Sequence, residues 1–125
     1  MDSIADGALT GIAVSAGVGV GPARVLRRGE APFLAAGEVL IAPVLDAAYG
    51  PLLASAAGAV AEIGGLLSHG AVVARELGVP CVVDVRDATR RIRSGQIVRV
   101  DGGTGLVEVL DPVSDAGARA ALDLI

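Results

Sequence analysis

Apolar residues fall in short runs along this chain, and the runs alternate with stretches of helical spacing. Ile12-Ala13-Val14-Ser15 reads as a short strand. Gly17-Val18-Gly19-Val20-Gly21-Pro22 then punctuates the chain, a pattern that favours a glycine-rich bend or bulge, and Ala23 to Arg27 resumes an extended pattern. Glu38 to Ala42, ended by Pro43, has the length and β-branching of a buried strand. Asp46 is placed to cap a helix over about Ala47 to Ala57, with Pro51 tolerated near its first turn and Gly58 as its stop. Ala59 to Ile63 predicts a third short strand.

A helix is expected next, with Ser68 at its N-cap and Gly78 and Pro80 as stop signals. Val72, Val73 and Leu77 have the spacing of one buried helical face. Cys81 to Val85 reads as a strand, and Asp87 can cap a short helix from Ala88 to Ile92. Gln96 to Val100 and Leu106 to Leu110 read as strands joined through Asp101-Gly102-Gly103-Thr104-Gly105, a hairpin-type link. The tail from Pro112 to Leu124 is expected to be helical and residues 1–10 loose and flexible, so that one domain spans 11–125. Strands alternating with helices, then a hairpin, predict an α/β domain with a mixed sheet. There is no domain boundary, internal repeat or low-complexity tract.

Composition narrows the picture. The chain has 125 residues, of which 53% are hydrophobic, so it belongs with globular domains rather than disordered segments. The apolar share is small-sized: 18 Gly, one Phe, one Tyr and no Trp. Such a core relies on close backbone approach rather than on large anchors. All ten basic residues are Arg. A formal net charge of -4 and a pI of about 4.8 argue against nucleic-acid or anionic-membrane partners, which need a basic footprint. The stretch from Ala47 to Ala61 is uncharged but too short and too broken by Gly50, Pro51 and Gly58 for a membrane span. Asp2 and Asp6 stand where a secretory signal would carry positive charge, and the single Cys81 forbids an internal disulfide, so a reducing cytoplasm is the expected location.

The chemistry concentrates on His69, the only histidine. It follows a predicted strand, the Gly64-Gly65 pair and the capping serine, which puts it on the first turn of a helix. Backbone N–H groups are free there and the helix dipole is positive, so an anion beside His69 would be held. A neutral imidazole is a nucleophile near neutral pH and can carry a phosphoryl group. The plainer reading, a histidine satisfied within a helix cap, stays open from the spacing alone. Metal binding is poorly supported, because there is no second histidine and Cys81 lies beyond the helix. A Ser68–His69 hydrolase pair is disfavoured, since adjacent helical residues do not face each other. Glycines 17, 19 and 21 do not make the G-x-G-x-x-G dinucleotide pattern.

The segment Gly64-Gly65-x-x-Ser68-His69-Gly70-Ala71-Val72-Val73-Ala74-Arg75-Glu76-Leu77-Gly78-Val79-Pro80-Cys81-Val82-Val83 resembles the active-site signature of phosphohistidine swivelling domains. These are the mobile domains of phosphoenolpyruvate synthase, pyruvate phosphate dikinase and rifampin phosphotransferase. Gly11 to Gly17 resembles the start of that domain, Gly37-Glu38-Val39-Leu40-Ile41 an early strand, and Ser94-Gly95-Gln96-x-Val98-x-Val100-Asp101-Gly102 a closing strand. The resemblance implies a swivelling β/β/α domain with a mixed sheet and flanking helices, in which His69 is phosphorylated. It implies Mg2+ and ATP on a partner ATP-grasp domain or subunit, no cofactor on this domain, and an acceptor-binding domain that offers pyruvate or a small-molecule hydroxyl. Gly64, Gly65, Ser68, Gly70 and Arg75 match the motif around the histidine. Arg75 would neutralise phosphate charge or make a helix-surface ion pair; Glu76 is expected in structural contacts.

Several positions depart from the family pattern. Leu67 replaces the threonine that dikinases phosphorylate for regulation, so such control is not expected. Gly70 stands for a frequent alanine, as in the rifampin enzymes, Asp84 for a frequent glycine, and Tyr49 for a frequent tryptophan. Nucleotide-binding and acceptor domains are absent from the 125 residues, which leads to the expectation of an incomplete phosphotransferase. Two other readings remain: a non-catalytic binding or regulatory module on the same fold, and the small subunit of a swivelling-fold dehydratase.

Overall fold

The computed structural model describes residues 7–110. In chain order the elements are β1 (Ala8–Thr10), β2 (Ile12–Ser15), β3 (Val18–Val25), β4 (Val39–Ala42), a 3-10 turn (Ala47–Tyr49) that runs into α1 (Gly50–Leu53), β5 (Gly58–Ala61), α2 (His69–Leu77), β6 (Cys81–Val83), α3 (Ala88–Arg91), β7 (Ile97–Asp101) and β8 (Leu106–Val109). The strands join in the order β1-β8-β7-β3-β4-β5-β6-β2. β3 is shared by two halves. Its first part, Val18 to Pro22, pairs antiparallel with β7, and its last part, Ala23 to Val25, pairs parallel with β4. β4, β5 and β6 continue the parallel half, and β2 closes it antiparallel to β6.

Side-chain alternation builds three layers. Val39, Ile41, Val60 and Val82 point to one face of the parallel half, where they pack with Val98, Val100, Val107 and Val109 of the antiparallel half and with Ile92. Leu40, Ala42, Ala59, Ala61, Cys81 and Val83 point to the other face, under α1 and α2. Sheet on sheet on helices is the β/β/α arrangement the resemblance implies.

Several expectations change. Gly19 and Gly21 do not make a bend; β3 runs through them to Val25. A Cβ on either glycine would collide with a backbone carbonyl, of Ala57 and of Gly37 respectively, so their role is close approach between distant segments. The helix expected over Ala47 to Ala57 ends at Leu53, and Gly58 opens β5 instead of stopping a helix. Asp46 does cap this region, accepting a hydrogen bond from the Ala48 N–H at 3.0 Å. Ala8–Thr10, from the stretch expected to be loose, forms β1 on β8. The expected helix over Pro112 to Leu124 lies outside the described residues. Among the described residues no helix is long and apolar enough to cross a membrane.

Candidate functional site

The site stands at the C-terminal end of the parallel strands, where the chain leaves β5 and turns into α2. Gly64 has a φ of 154°, and a Cβ there would stand 3.2 Å from that of Val83, the last residue of β6. The turn that follows is closed on itself: the Gly65 carbonyl accepts from the Ser68 N–H at 3.1 Å and from the Ser68 hydroxyl at 2.8 Å. Ser68 occupies the N-cap position with extended backbone, as expected, but its side chain does not cap the helix. The hydroxyl is turned back to Gly65, which leaves the first-turn N–H groups of α2 without a side-chain cap. His69 is the first residue of α2 and is exposed.

Arg75 is turned to backbone carbonyls on two other segments. Its guanidinium donates to the Val14 carbonyl at 3.0 Å and to the Leu66 carbonyl at 2.6 Å. It thus ties the turn ahead of His69 to β2. Gly70, matched with the motif around the histidine, faces inward and is buried; a Cβ there would stand 2.8 Å from the Leu45 carbonyl oxygen. The inner face of α2 is Gly70, Ala71 and Ala74, with Val73 partly buried against the same core, whereas Val72 and Leu77 are exposed. Val72 and Leu77 lie outside because the helix sits close to its seat. Gly65 borders open space.

Neighbouring groups complete the surroundings. Glu62 follows β5, and its carboxylate accepts from the Thr89 N–H at 2.8 Å and the Thr89 hydroxyl at 2.6 Å, fixing the start of α3 to the end of β5 and with it the loop after β6. Asp84, in that loop, is exposed and holds a left-handed backbone with φ of 59°. Cys81 is buried under α2; burial, opposed by the Arg75 charge, pushes its thiol up to about 12. Tyr49 is a core residue, its hydroxyl pKa raised by burial and then by Asp46 and Glu30. Among the described residues no group of three or more His, Cys, Asp and Glu could hold a metal ion. Sequence reasoning gave no site role to Ile63 and Leu66 and read Leu67 only as the replacement of a regulatory threonine; all three are exposed in the segment ahead of His69. The uncharged run from Ile63 to Ala74 was the available signal.

Residues 34–105, which span β4 to the β7–β8 link and include His69, its turn and Arg75, match the family model described as "PEP-utilising enzyme, mobile domain". The chain belongs to this mobile-domain family. A relative called rifampicin phosphotransferase, from Streptomyces sviceus, is 49% identical over 109 residues, which cover 87% of this chain and 13% of the relative. The mobile domain described here therefore spans about an eighth of the length of that relative. Among solved structures, Enzyme I (nEIt) is similar with a TM-score of 0.54 at 29% identity, covering 74% of this chain and 39% of that one. Thermococcus kodakaraensis aconitase X has a TM-score of 0.67 at 19% identity, covering 82% of this chain and 98% of that one, a likeness of fold alone. The mobile domain thus shares its β/β/α fold with a protein whose name denotes different chemistry, so its function has to be argued from the site.

Proposed function

We propose that this chain is a phosphoryl carrier and that His69 is the residue phosphorylated. The observation that carries the reading is an exposed histidine at the first residue of a nine-residue helix, on a turn closed by Ser68 and braced by Arg75. A ring nitrogen attacks the donor phosphorus; an N–P bond forms as the P–O bond to the leaving group breaks, and the leaving oxygen takes the electron pair. In the second half an acceptor hydroxyl oxygen attacks the same phosphorus. The N–P bond breaks with its electron pair returning to the ring, and the freed ring nitrogen takes up the hydroxyl proton. The first-turn N–H groups and the helix dipole favour the negative phosphoryl group by about 0.3–1 kcal/mol. Gly64, Gly65 and Ser68 shape the turn, Gly70 seats the helix, and Arg75 acts as a brace rather than as a phosphate ligand.

The donor in this reading is an ATP-grasp domain that holds Mg2+ and ATP, on a partner chain or on a longer polypeptide. The acceptor is a small-molecule hydroxyl in preference to pyruvate, supported by the relative named for rifampicin. The chain alone is then an incomplete phosphotransferase working in the cytoplasm, where ATP is available.

The test incubates the chain with Mg2+, labelled ATP and the Streptomyces sviceus relative from which the matching segment has been deleted. Acid-labile label on the wild type and none on His69→Ala is the expected result. No label on the wild type, while the relative's own excised segment is labelled in the same mixture, overturns the reading.

A further inference from the structure

The turn ahead of His69 keeps large apolar residues in water. Leu67 is 89% exposed, Ile63 61% and Leu66 57%. Val72, three residues after His69 and so on the same side of α2, is exposed as well. This exposure is not slackness. The turn is closed by the two hydrogen bonds onto the Gly65 carbonyl, tied to α2 by Arg75 and seated on Val83 through Gly64. Ordering a segment costs conformational entropy, and among the described residues Leu67 gains little burial in return. Exposed apolar side chains held on an ordered turn in this way have the properties of a binding anchor, which loses little freedom when a partner covers it.

We propose that Leu67, flanked by Ile63, Leu66 and Val72, is the anchor by which this chain docks on the domain that phosphorylates His69. The proposal rests on the carrier reading above. Its occupant follows from position, because any donor that transfers a group to His69 has to cover the surface immediately around the ring. The partner's chemistry follows too: a nucleotide-phosphate pocket with an apolar rim that receives Leu67. No charged residue lies between Glu62 and Arg75, so nothing in this run opposes the anionic contents of such a pocket. The relative's length leaves ample room for such a domain, since the matched 109 residues are 13% of it. An apolar collar closed around the reacting atoms also excludes the water that would hydrolyse the phosphoryl group in transit.

The test measures initial rates of His69 labelling by the segment-deleted relative, against concentration of the full chain, for wild type, Leu67→Asp and Leu67→Ser. Both variants should lose at least about ten-fold in kcat/KM, mainly through KM. Their phosphorylation by potassium phosphoramidate, a donor with no surface to dock, should stay at the wild-type rate. Val20→Glu, on the exposed outer face of β3, should match wild type with both donors. Wild-type labelling of Leu67→Asp by the relative overturns the docking inference and leaves the carrier reading intact. Equal losses with phosphoramidate overturn it too, because Leu67 would then act on the ring or the fold. Absence of label on the wild type removes the carrier reading and the docking inference with it. Self-association of the wild type that Leu67→Asp abolishes would make the patch an interface between copies, against the proposal.

Discussion

The two faces of the parallel half-sheet are built differently. The face toward the antiparallel half is filled by branched residues: Val39, Ile41, Val60, Val82, Val98, Val100, Val107 and Ile92. The face toward the helices mixes large residues, Leu40, Leu45, Tyr49, Leu53 and Val83, with small ones, Ala42, Ala59, Ala61, Ala71, Ala74 and Cys81, and Gly70 is pressed on Leu45. The first face is a sheet-to-sheet core of ordinary bulk, and it supplies stability. The second lets α2 approach closely, and its dimensions set where His69 stands. The small-residue bias in composition therefore has a structural use on the side that carries the candidate site.

Substitutions can break this contrast from either side. The largest effect is expected from Ile92→Ala in the sheet-to-sheet core, where Ile92 is fully buried. It should cost about 2–5 kcal/mol in urea unfolding yet leave His69 labelling of the folded protein at the wild-type rate. Ala74→Leu on the inner face of α2 should cost about 1–3 kcal/mol by overpacking. Unlike Ile92→Ala, it should also slow labelling, because the helix must lift from its seat; an unaffected rate would remove the link between seating and His69. Arg75→Ala should cost only about 1 kcal/mol. It should raise amide exchange at Leu66 to Ser68, where the Leu66 carbonyl loses its partner.

The smallest effect appears only in alkali. Burial, partly offset by the Arg75 charge, raises the Cys81 thiol from its ordinary 9.0 to about 12. The folded state therefore keeps a proton that the unfolded chain releases near 9. That contribution to stability is whole below pH 9 and disappears as pH rises toward 12. The decline in unfolding free energy over this window should be steeper for wild type than for Cys81→Ala, measured by urea titration. Parallel declines would mean that the helix-side face is more open to water than the contact pattern implies.

Much of this was legible in the sequence, and the exceptions have physical causes. Ile12–Ser15 forms a strand as read, and the run read from Glu38 to Ala42 forms one over Val39–Ala42, because short branched runs bounded by glycine or proline have few alternatives. Ser68 and Gly78 bound α2 as expected. The buried face of α2 was misread because Gly70 to Ala74 is apolar throughout, so its periodicity carries no phase. The roles of Gly19 and Gly21 depend on Ala57 and Gly37, whose closeness is not visible locally. His69 stood out through its motif, whereas the Arg75 brace did not. Its acceptors are backbone carbonyls, which leave no mark on residue identity. Leu67 is legible only as the replacement of a regulatory threonine; its exposure is not, because a leucine is expected inside and here the turn holds it out.

The central claim is that His69 carries the phosphoryl group. The most direct measurement is fragmentation mass spectrometry of the tryptic peptide from Gly29 to Arg75, which contains His69, after incubation with Mg2+, ATP and the segment-deleted relative. An acid-labile phosphate localised to His69, lost on transfer to an added acceptor hydroxyl, is the predicted result. A phosphate on Ser68 or Ser55, or none on this peptide while the relative's own segment is phosphorylated, would contradict it.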